Sequence, residues 1–329
     1  MSRTKIKYIC SNCGYESLRW LGKCPECESW NSFTEEIIET SKRKPTITKS
    51  KFDLKTIDSI NATEEDRIKT GIEEFDRVLG GGMMPGSVVL LGGDPGIGKS
   101  TLAMQAAAKI NQKVLYITGE ESEKQLKIRA SRLKLKSPEF YVQAETNLSD
   151  ILGAINQLTP SVVVIDSIQT MYRSELDNSP GTITQIRECT ALLMEEAKKK
   201  HYCVIIIGHV TKEGMIAGPK LLEHMVDTVI QFEGESNYSF RILRGQKNRF
   251  GSTNEIGVFE MHEDGLHEVK NPSELFLSGR EMKTPGSVVT STIEGTRPIL
   301  LEVQALVTPS NYGYPQRVSN GFDQRRLSI

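Results

Sequence analysis

Little in this 329-residue chain is in excess. Lysine and arginine number 41 against 42 acidic residues, a formal net charge of −1. There is therefore no global basic signature, and a polyanionic partner has to be met by local patches. No apolar run approaches the length that spans a bilayer. Met1-Ser2-Arg3-Thr4-Lys5-Ile6-Lys7 leads into no apolar h-region, which argues against a secretory signal. The expected compartment is the cytoplasm, with no membrane partner. Cysteine is scarce, six residues, and in a reducing compartment these are metal ligands or free thiols rather than disulfides. Tandem repeats and long low-complexity tracts are missing too. What remains is a chain of ordinary composition, long for one core and better suited to two or three domains.

Against that background one stretch fits G-x-x-x-x-G-K-[ST] without a mismatch: Gly93-Asp94-Pro95-Gly96-Ile97-Gly98-Lys99-Ser100, followed by Thr101. Glycines let successive backbone N–H groups turn inward around phosphate oxygens, at a helix N-terminus whose dipole favours negative charge. Lys99 supplies a cation for the outer phosphates, and the Ser100 hydroxyl can complete a Mg²⁺ shell. The chain is expected to bind a nucleoside triphosphate.

The surrounding sequence sorts into segments. Residues 1–35 are Cys-rich and poor in helical period, and 36–55 are rich in Thr, Ser and Lys, the composition of a linker. Residues 56–270 alternate strand and helix patterns. Val88-Val89-Leu90-Leu91, Lys113 to Ile117, Val162 to Ile165 and Cys203 to Ile207 are continuous apolar runs, the mark of strands buried on both faces. Helices are expected at Lys99 to Ile110, Ser122 to Leu133, Leu148 to Leu158 and Thr182 to Lys200. This is an α/β pattern with a mostly parallel sheet, whose ligands collect at the carboxyl ends of the strands. After His209 come Val226 to Phe232, Tyr238 to Leu243 and Glu255 to Glu260, strands without intervening helices, so the sheet is expected to finish antiparallel. Residues 271–329 start a fresh set of strands, at Gly286 to Thr292 and Ile299 to Val307. The chain stops too soon after them to close another core, and a truncated third domain is expected.

Several residues carry chemistry. Cys10-Ser11-Asn12-Cys13 and Cys24-Pro25-Glu26-Cys27 are two C-x-x-C knuckles with ten residues between them. They can present four thiolates tetrahedrally, which suits structural Zn²⁺, with iron in a rubredoxin-like site as the rival. Four cysteines leave no open coordination position, so the role is structural or recognition. Cys189 and Cys203 read as core thiols. Asp166 ends an apolar strand downstream of the loop, where a Walker B carboxylate holds Mg²⁺ together with Ser100. Glu120 and Glu121 follow the Ile117-Thr118 strand end, expected beside the loop strand. Glu120 is favoured to polarise the attacking water, with Glu121 as its substitute and a helix N-terminal charge as the plainer reading. His209, at the tip of another strand, is either a γ-phosphate sensor or a structural histidine. Segments 167–181, with Tyr172 and Arg173, and 210–219, with Lys212, could touch a threading polymer through stacking and phosphate neutralisation. Lys247 and Arg249 alternate along an extended segment, so both could point one way. They read as a basic surface turn or as a finger reaching a neighbouring subunit's nucleotide.

These residues resemble the bacterial RadA (Sms) DNA-repair proteins, RecA-like ring ATPases. The likeness is carried by the four-cysteine ribbon, Gly93 to Thr101, Val162 to Asp166, the His209 segment and, most specifically, Lys247-Asn248-Arg249-Phe250-Gly251. The resemblance implies a RecA-like P-loop ATPase core with an N-terminal zinc ribbon and the beginning of a C-terminal Lon-protease-like α+β domain. It implies ATP, Mg²⁺ and Zn²⁺ as cofactors, with Lys99, Glu120, Asp166, Lys247 and Arg249 as catalytic groups, the last two acting between subunits of a hexameric ring. The implied activity is an ATP-dependent motor on single-stranded or branched DNA that extends or migrates branches alongside RecA. Segments 167–181 and 210–219 match the family's DNA-facing loops. No Ser-Lys protease dyad can be assigned in residues 271–329, and no peptidase activity is expected. Two other readings stay open: an ATP-switched scaffold for DNA and RecA that does not translocate, and a RecA-like ATPase acting on protein.

Overall fold

The structure, a computed structural model, describes residues 4–10, 14–39, 56, 67–208, 219–234, 239–277, 285–309 and 316–327. The N-terminal segment forms a small antiparallel sheet from β1 (Thr4–Cys10), β2 (Glu16–Ser17) and β3 (Phe33–Glu39), in the order β2-β1-β3. β3 runs to Glu39, a few residues beyond the expected end of the ribbon. This piece is too small for an ordinary core, and its buried centre is Cys10, Cys24 and Phe33.

The large sheet follows from the doubly apolar runs. In chain order it is built of α1 (Glu73–Leu79), β4 (Val88–Gly93), α2 (Lys99–Lys109), β5 (Val114–Thr118), α3 (Glu123–Arg132), β6 (Phe140–Ala144), α4 (Leu148–Leu158), β7 (Val162–Asp166), α5 (Ile183–Lys200), β8 (Cys203–Ile207), α6 (Pro219–Met225), β9 (Thr228–Glu233), β10 (Phe240–Asn248), β11 (Ile256–His262) and β12 (Gly265–Glu268). The strand order is β12-β11-β10-β9-β4-β8-β7-β5-β6. Because side chains alternate across a strand, β4 sends Val89 and Leu91 to one face, with Phe75, Leu102 and Leu126 of α1, α2 and α3. Val88 and Leu90 go to the other, with Ile151, Ile186, Leu193 and Leu222 of α4, α5 and α6. Two helical layers thus cover one sheet.

The structure amends the expected topology in three places. β6 is an additional parallel edge strand next to β5; its half-exposed pattern lacks the apolar run that identified the others. β9 was expected in the antiparallel part but pairs parallel to β4. The unforeseen α6 supplies the crossover that a parallel connection needs. Only from β10 onward is the sheet antiparallel. Finally, β5 does not lie beside the loop strand β4, since β8 and β7 intervene.

A second compact unit comprises Asn271–Ile293 and Pro298–Ile329. It holds α7 (Pro272–Leu277), most of the paired strands β13 (Ser287–Glu294) and β14 (Arg297–Gln304), and α8 (Gln324–Leu327). Among the described residues no helix is long and apolar enough to cross a membrane.

Candidate active site

β4 delivers the chain to the phosphate loop, and α2 begins at Lys99 with Gly98 as its N-cap. Gly93 has φ 147°, and a Cβ there would meet the Phe232 carbonyl oxygen at 2.6 Å, so the turn out of β4 needs glycine. Lys99 is only 4% exposed. Its Nζ donates to the carbonyls of Gly93, at 2.7 Å, and Asp94, at 2.9 Å. Burial lowers its pKa to about 8, while Asp166, Asp94 and Glu120 pull the other way. Such an ammonium is poorly compensated until phosphate oxygens reach it. A second buried cation, Arg241 of β10, donates from Nε to the Ile97 carbonyl at 3.3 Å and so supports the loop from the antiparallel side.

The parallel register brings Asp166 level with Thr118. Ser100 Oγ donates to Asp166 Oδ1 at 3.1 Å, and the fully buried Tyr116 donates its hydroxyl to Oδ2 at 2.5 Å. Burial raises the Asp166 pKa, opposed by the hydrogen bonds from Tyr116 and Ser100. The half-buried Ser100 hydroxyl at the start of α2 and the buried Asp166 carboxylate at the carboxyl end of β7, beside the phosphate loop, are a donor set of the kind Mg²⁺ takes in nucleotide sites. The two glutamates separate clearly. Glu120 is exposed toward this group and accepts from Ser167 Oγ at 2.6 Å. Glu121 turns away to pair with Arg129 of α3. Glu120 reaches the site because β5 adjoins β7, not because it adjoins β4. The approach is close: a Cβ on Gly119 would lie 2.0 Å from Thr170 Oγ1.

Segment 167–181 leaves β7 and is tied down before α5. Gln185, fully buried, donates from Nε2 to the carbonyls of Arg173 (3.2 Å) and Asn178 (2.8 Å). Its Oε1 accepts from the Arg173 N–H at 2.9 Å. Tyr172 is half-buried and its backbone is bound to Thr146 and Leu148. Arg173 is also half-buried, with Glu175 at 3.5 Å and Glu188 at 3.6 Å. It is an internal ion-pair centre rather than an exposed cation. His209, Lys212 and Cys13 lie outside the described residues.

Lys247 and Arg249 converge at the opposite end of the sheet. Lys247 is the penultimate residue of β10, opposite Val229, just past a register shift. Its Nζ donates to the carbonyls of Glu223 (2.9 Å), His224 (3.2 Å) and Val226 (2.8 Å), capping α6. Burial lowers its pKa, with Arg249 adding to the effect. Arg249 lies past the strand and pairs with the buried Asp227 at 3.1 Å. Asp227 Oδ2 also accepts from the N–H of Val88, the first residue of β4. Val226 precedes Phe232, the register partner of Gly93, by six residues, so the ammonium sits roughly 20 Å from the level of the phosphate loop. Lys247 itself is level with Val229, three residues before Phe232 and two strands from β4, so its backbone stands roughly 14 Å from the loop, well beyond the reach of a lysine side chain.

In the N-terminal ribbon, Cys10, Cys24 and Cys27 present sulfurs within 4.8 Å of one another. The two knuckles repeat one turn: Gly14 N donates to Cys10 O and Glu28 N to Cys24 O, both at 2.9 Å. Ser32 Oγ accepts from Cys10 Sγ at 3.2 Å and donates to the Ser29 carbonyl at 3.2 Å, which fixes the Cys10 side chain. Three converging thiols, two buried and one half-buried, fit the Zn²⁺ site of a small ribbon domain.

A family model described as an AAA domain matches residues 54–215, and one described as a rubredoxin metal binding domain matches residues 8–35. The chain is 53% identical to the DNA repair protein RadA of Bacillus subtilis over 340 residues, covering 100% of this chain and 74% of that protein. Against the DNA repair protein RadA of Listeria monocytogenes the identity is 51%, with 100% and 73% covered. The chain belongs to the RadA family of DNA repair proteins. Its fold is also that of a KaiC-like protein from Pyrococcus horikoshii, with a TM-score of 0.50, 22% identity, and 62% of this chain and 98% of that one covered. The RadA-family core is thus a RecA-like ATPase domain with ATP and Mg²⁺ as its cofactors, and the ribbon carries Zn²⁺. Tyr116, Ser167, Gln185, Asp227 and Arg241 escaped the sequence reading. Tyr116 had one signal, a hydroxyl inside an otherwise apolar strand; the others are ordinary polar residues until the fold is known.

Proposed function

We propose that this RadA-family chain is an ATP-driven motor on single-stranded or branched DNA, working in recombinational repair with RecA as a hexameric ring. The observation that carries the reading is the separation of two half-sites. Lys99, Ser100, Asp166 and Glu120 gather at the carboxyl ends of the parallel strands, whereas Lys247 and Arg249 lie together at the far end, out of reach of their own loop. A ring brings the second set of one subunit to the first set of the next.

In this mechanism the loop amides and Lys99 hold the triphosphate, and Ser100 with Asp166 holds Mg²⁺. When bound, the ion neutralises charge that develops on the phosphates. Glu120, steadied by Ser167, orients the attacking water and accepts its proton. Lys247 and Arg249 leave their carbonyl and carboxylate partners to meet the neighbour's nucleotide, so hydrolysis can loosen α6 in one subunit in response to chemistry in the next. Segments 167–181 and 210–219 follow strands that end at the nucleotide, which makes them the natural DNA-facing elements. With Arg173 internally paired, phosphate contact by the first segment falls to backbone N–H groups and Tyr172.

The test is ATPase rate with and without single-stranded DNA, alongside solution mass. Stimulation by DNA in a ring-sized species is expected; no stimulation by any DNA form would point to a protein substrate instead. Mixing Lys99→Ala with Lys247→Ala subunits should recover activity that neither has alone. No recovery at any ratio would remove the shared-site idea.

A further inference from the structure

Tyr116 directs its polar atom at Asp166 rather than at the phosphate loop or solvent. It lies in the middle of β5, fully buried, between Leu115 and Ile117. Its ring packs edge-on against Phe140 of β6, with centroids 5.9 Å apart. Its hydroxyl meets Asp166 Oδ2 at 2.5 Å, while Asp166 Oδ1 faces the Ser100 hydroxyl at 3.1 Å. The carboxylate is therefore divided. One oxygen is held by a rigid, buried donor from the neighbouring strand, and the other is turned toward the start of α2.

A carboxylate with both oxygens free can rotate, and a rotated Asp166 would present the wrong lone pairs to a cation beside Ser100. Groups that orient metal ligands through a hydrogen bond commonly affect metal affinity as strongly as weak ligands do. We infer that Tyr116 is a positioning residue for Mg²⁺: it fixes the rotation of the Asp166 carboxylate so that Oδ1 and the Ser100 hydroxyl face one point. The inference rests on the reading of Asp166 as the Mg²⁺ carboxylate. It assigns Tyr116 no contact with nucleotide or ion. A plainer role would be that the phenol simply satisfies itself on the nearest acceptor, in which case its loss would affect stability and nothing else.

Tyr116→Phe removes the hydroxyl and keeps the ring, so the two roles can be separated. The measurement is binding of a fluorescent ATP analogue to the full chain, titrated with Mg²⁺ and repeated in excess chelator. Tyr116→Phe is expected to bind the analogue normally in chelator and to need about tenfold more Mg²⁺ for half-saturation. Asp166→Asn is expected to lose the Mg²⁺ response altogether. Phe140→Leu, which disturbs the packing of the same ring and spares the hydroxyl, should keep the wild-type Mg²⁺ midpoint. An unchanged midpoint in Tyr116→Phe, with Asp166→Asn abolishing the response, would overturn the role of Tyr116 alone. An unchanged response in Asp166→Asn would remove the reading of Asp166 and the inference with it. A shift in Phe140→Leu equal to that in Tyr116→Phe would assign the effect to packing and also overturn the proposal.

Discussion

Gln185→Leu tests how the segment after Asp166 is held. The substitution is close in volume and deletes a fully buried amide that makes three hydrogen bonds, two with the backbone of Arg173 and one with the carbonyl of Asn178. At about 1 kcal/mol net per bond the direct loss is about 3 kcal/mol. The backbone groups left behind lie in a half-exposed segment, so water can reach them once it loosens, and the full penalty for unsatisfied groups does not apply. The cost should fall on local opening of residues 172–178 rather than on the whole sheet, because Gln185 contributes nothing to the two apolar layers. Three kcal/mol corresponds to about two decades in an opening equilibrium. Hydrogen exchange read by mass spectrometry should show about 100-fold faster exchange at the Arg173 amide and its neighbours, with β4, β7 and β8 unchanged. If exchange in 172–178 stayed within threefold of wild type, the segment would be held by something other than Gln185. Equal acceleration in the central strands would mean that the cost had been misassigned to a local event.

Three further outcomes are expected. Lys99→Met should abolish hydrolysis yet stabilise the nucleotide-free chain at neutral pH. Burial takes the Lys99 pKa from 10.5 to about 8, so keeping it charged costs about 3 kcal/mol, partly offset by its two carbonyl bonds. Because the folded value is the lower one, the native state holds fewer protons between about pH 8 and 10.5. Wild-type stability should therefore rise relative to the variant through that window, and denaturant midpoints against pH would reveal a wrong sign at once. Glu120→Gln should slow turnover by at least about 100-fold with nucleotide binding retained. Glu121→Gln should mainly weaken the Arg129 pair, and equal rate losses in the two variants would undo their separation. Metal analysis should find zinc bound to purified protein. A strong chelator should then lower tryptophan anisotropy, since Trp20 and Trp30 are the chain's two tryptophans and both lie in the ribbon, while far-UV signal from the large sheet persists.

The legible parts of the fold were those in which local pattern and tertiary role coincide. Val88 to Leu91 and Cys203 to Ile207 are apolar at every position because both faces of the sheet are covered, and the helices Leu148–Leu158 and Ile183–Lys200 carry clear starts at Asn147 and Thr182. β6 was missed because an edge strand needs no continuous apolar run, and α6 because it is short and follows a polar, glycine-containing stretch. Lys247 and Arg249 stood out as a pair, but their partners did not: Asp227 and the end carbonyls of α6 lie some twenty residues away in sequence, and nothing in their spacing marks them.

By itself the sequence determined the phosphate loop, the cysteine knuckles and the alternating apolar segments, because each depends on residues close together along the chain. Tertiary structure decided everything that depends on strand order. It set β5 against β7 rather than β4, which brings Glu120 to Ser167 and Tyr116 to Asp166 while Glu121 turns to Arg129. It also put the phosphate loop and the Lys247–Arg249 pair at opposite ends of one sheet. The reason is that pairing partners in a parallel sheet are chosen by packing on both faces at once, a condition no single segment of sequence contains.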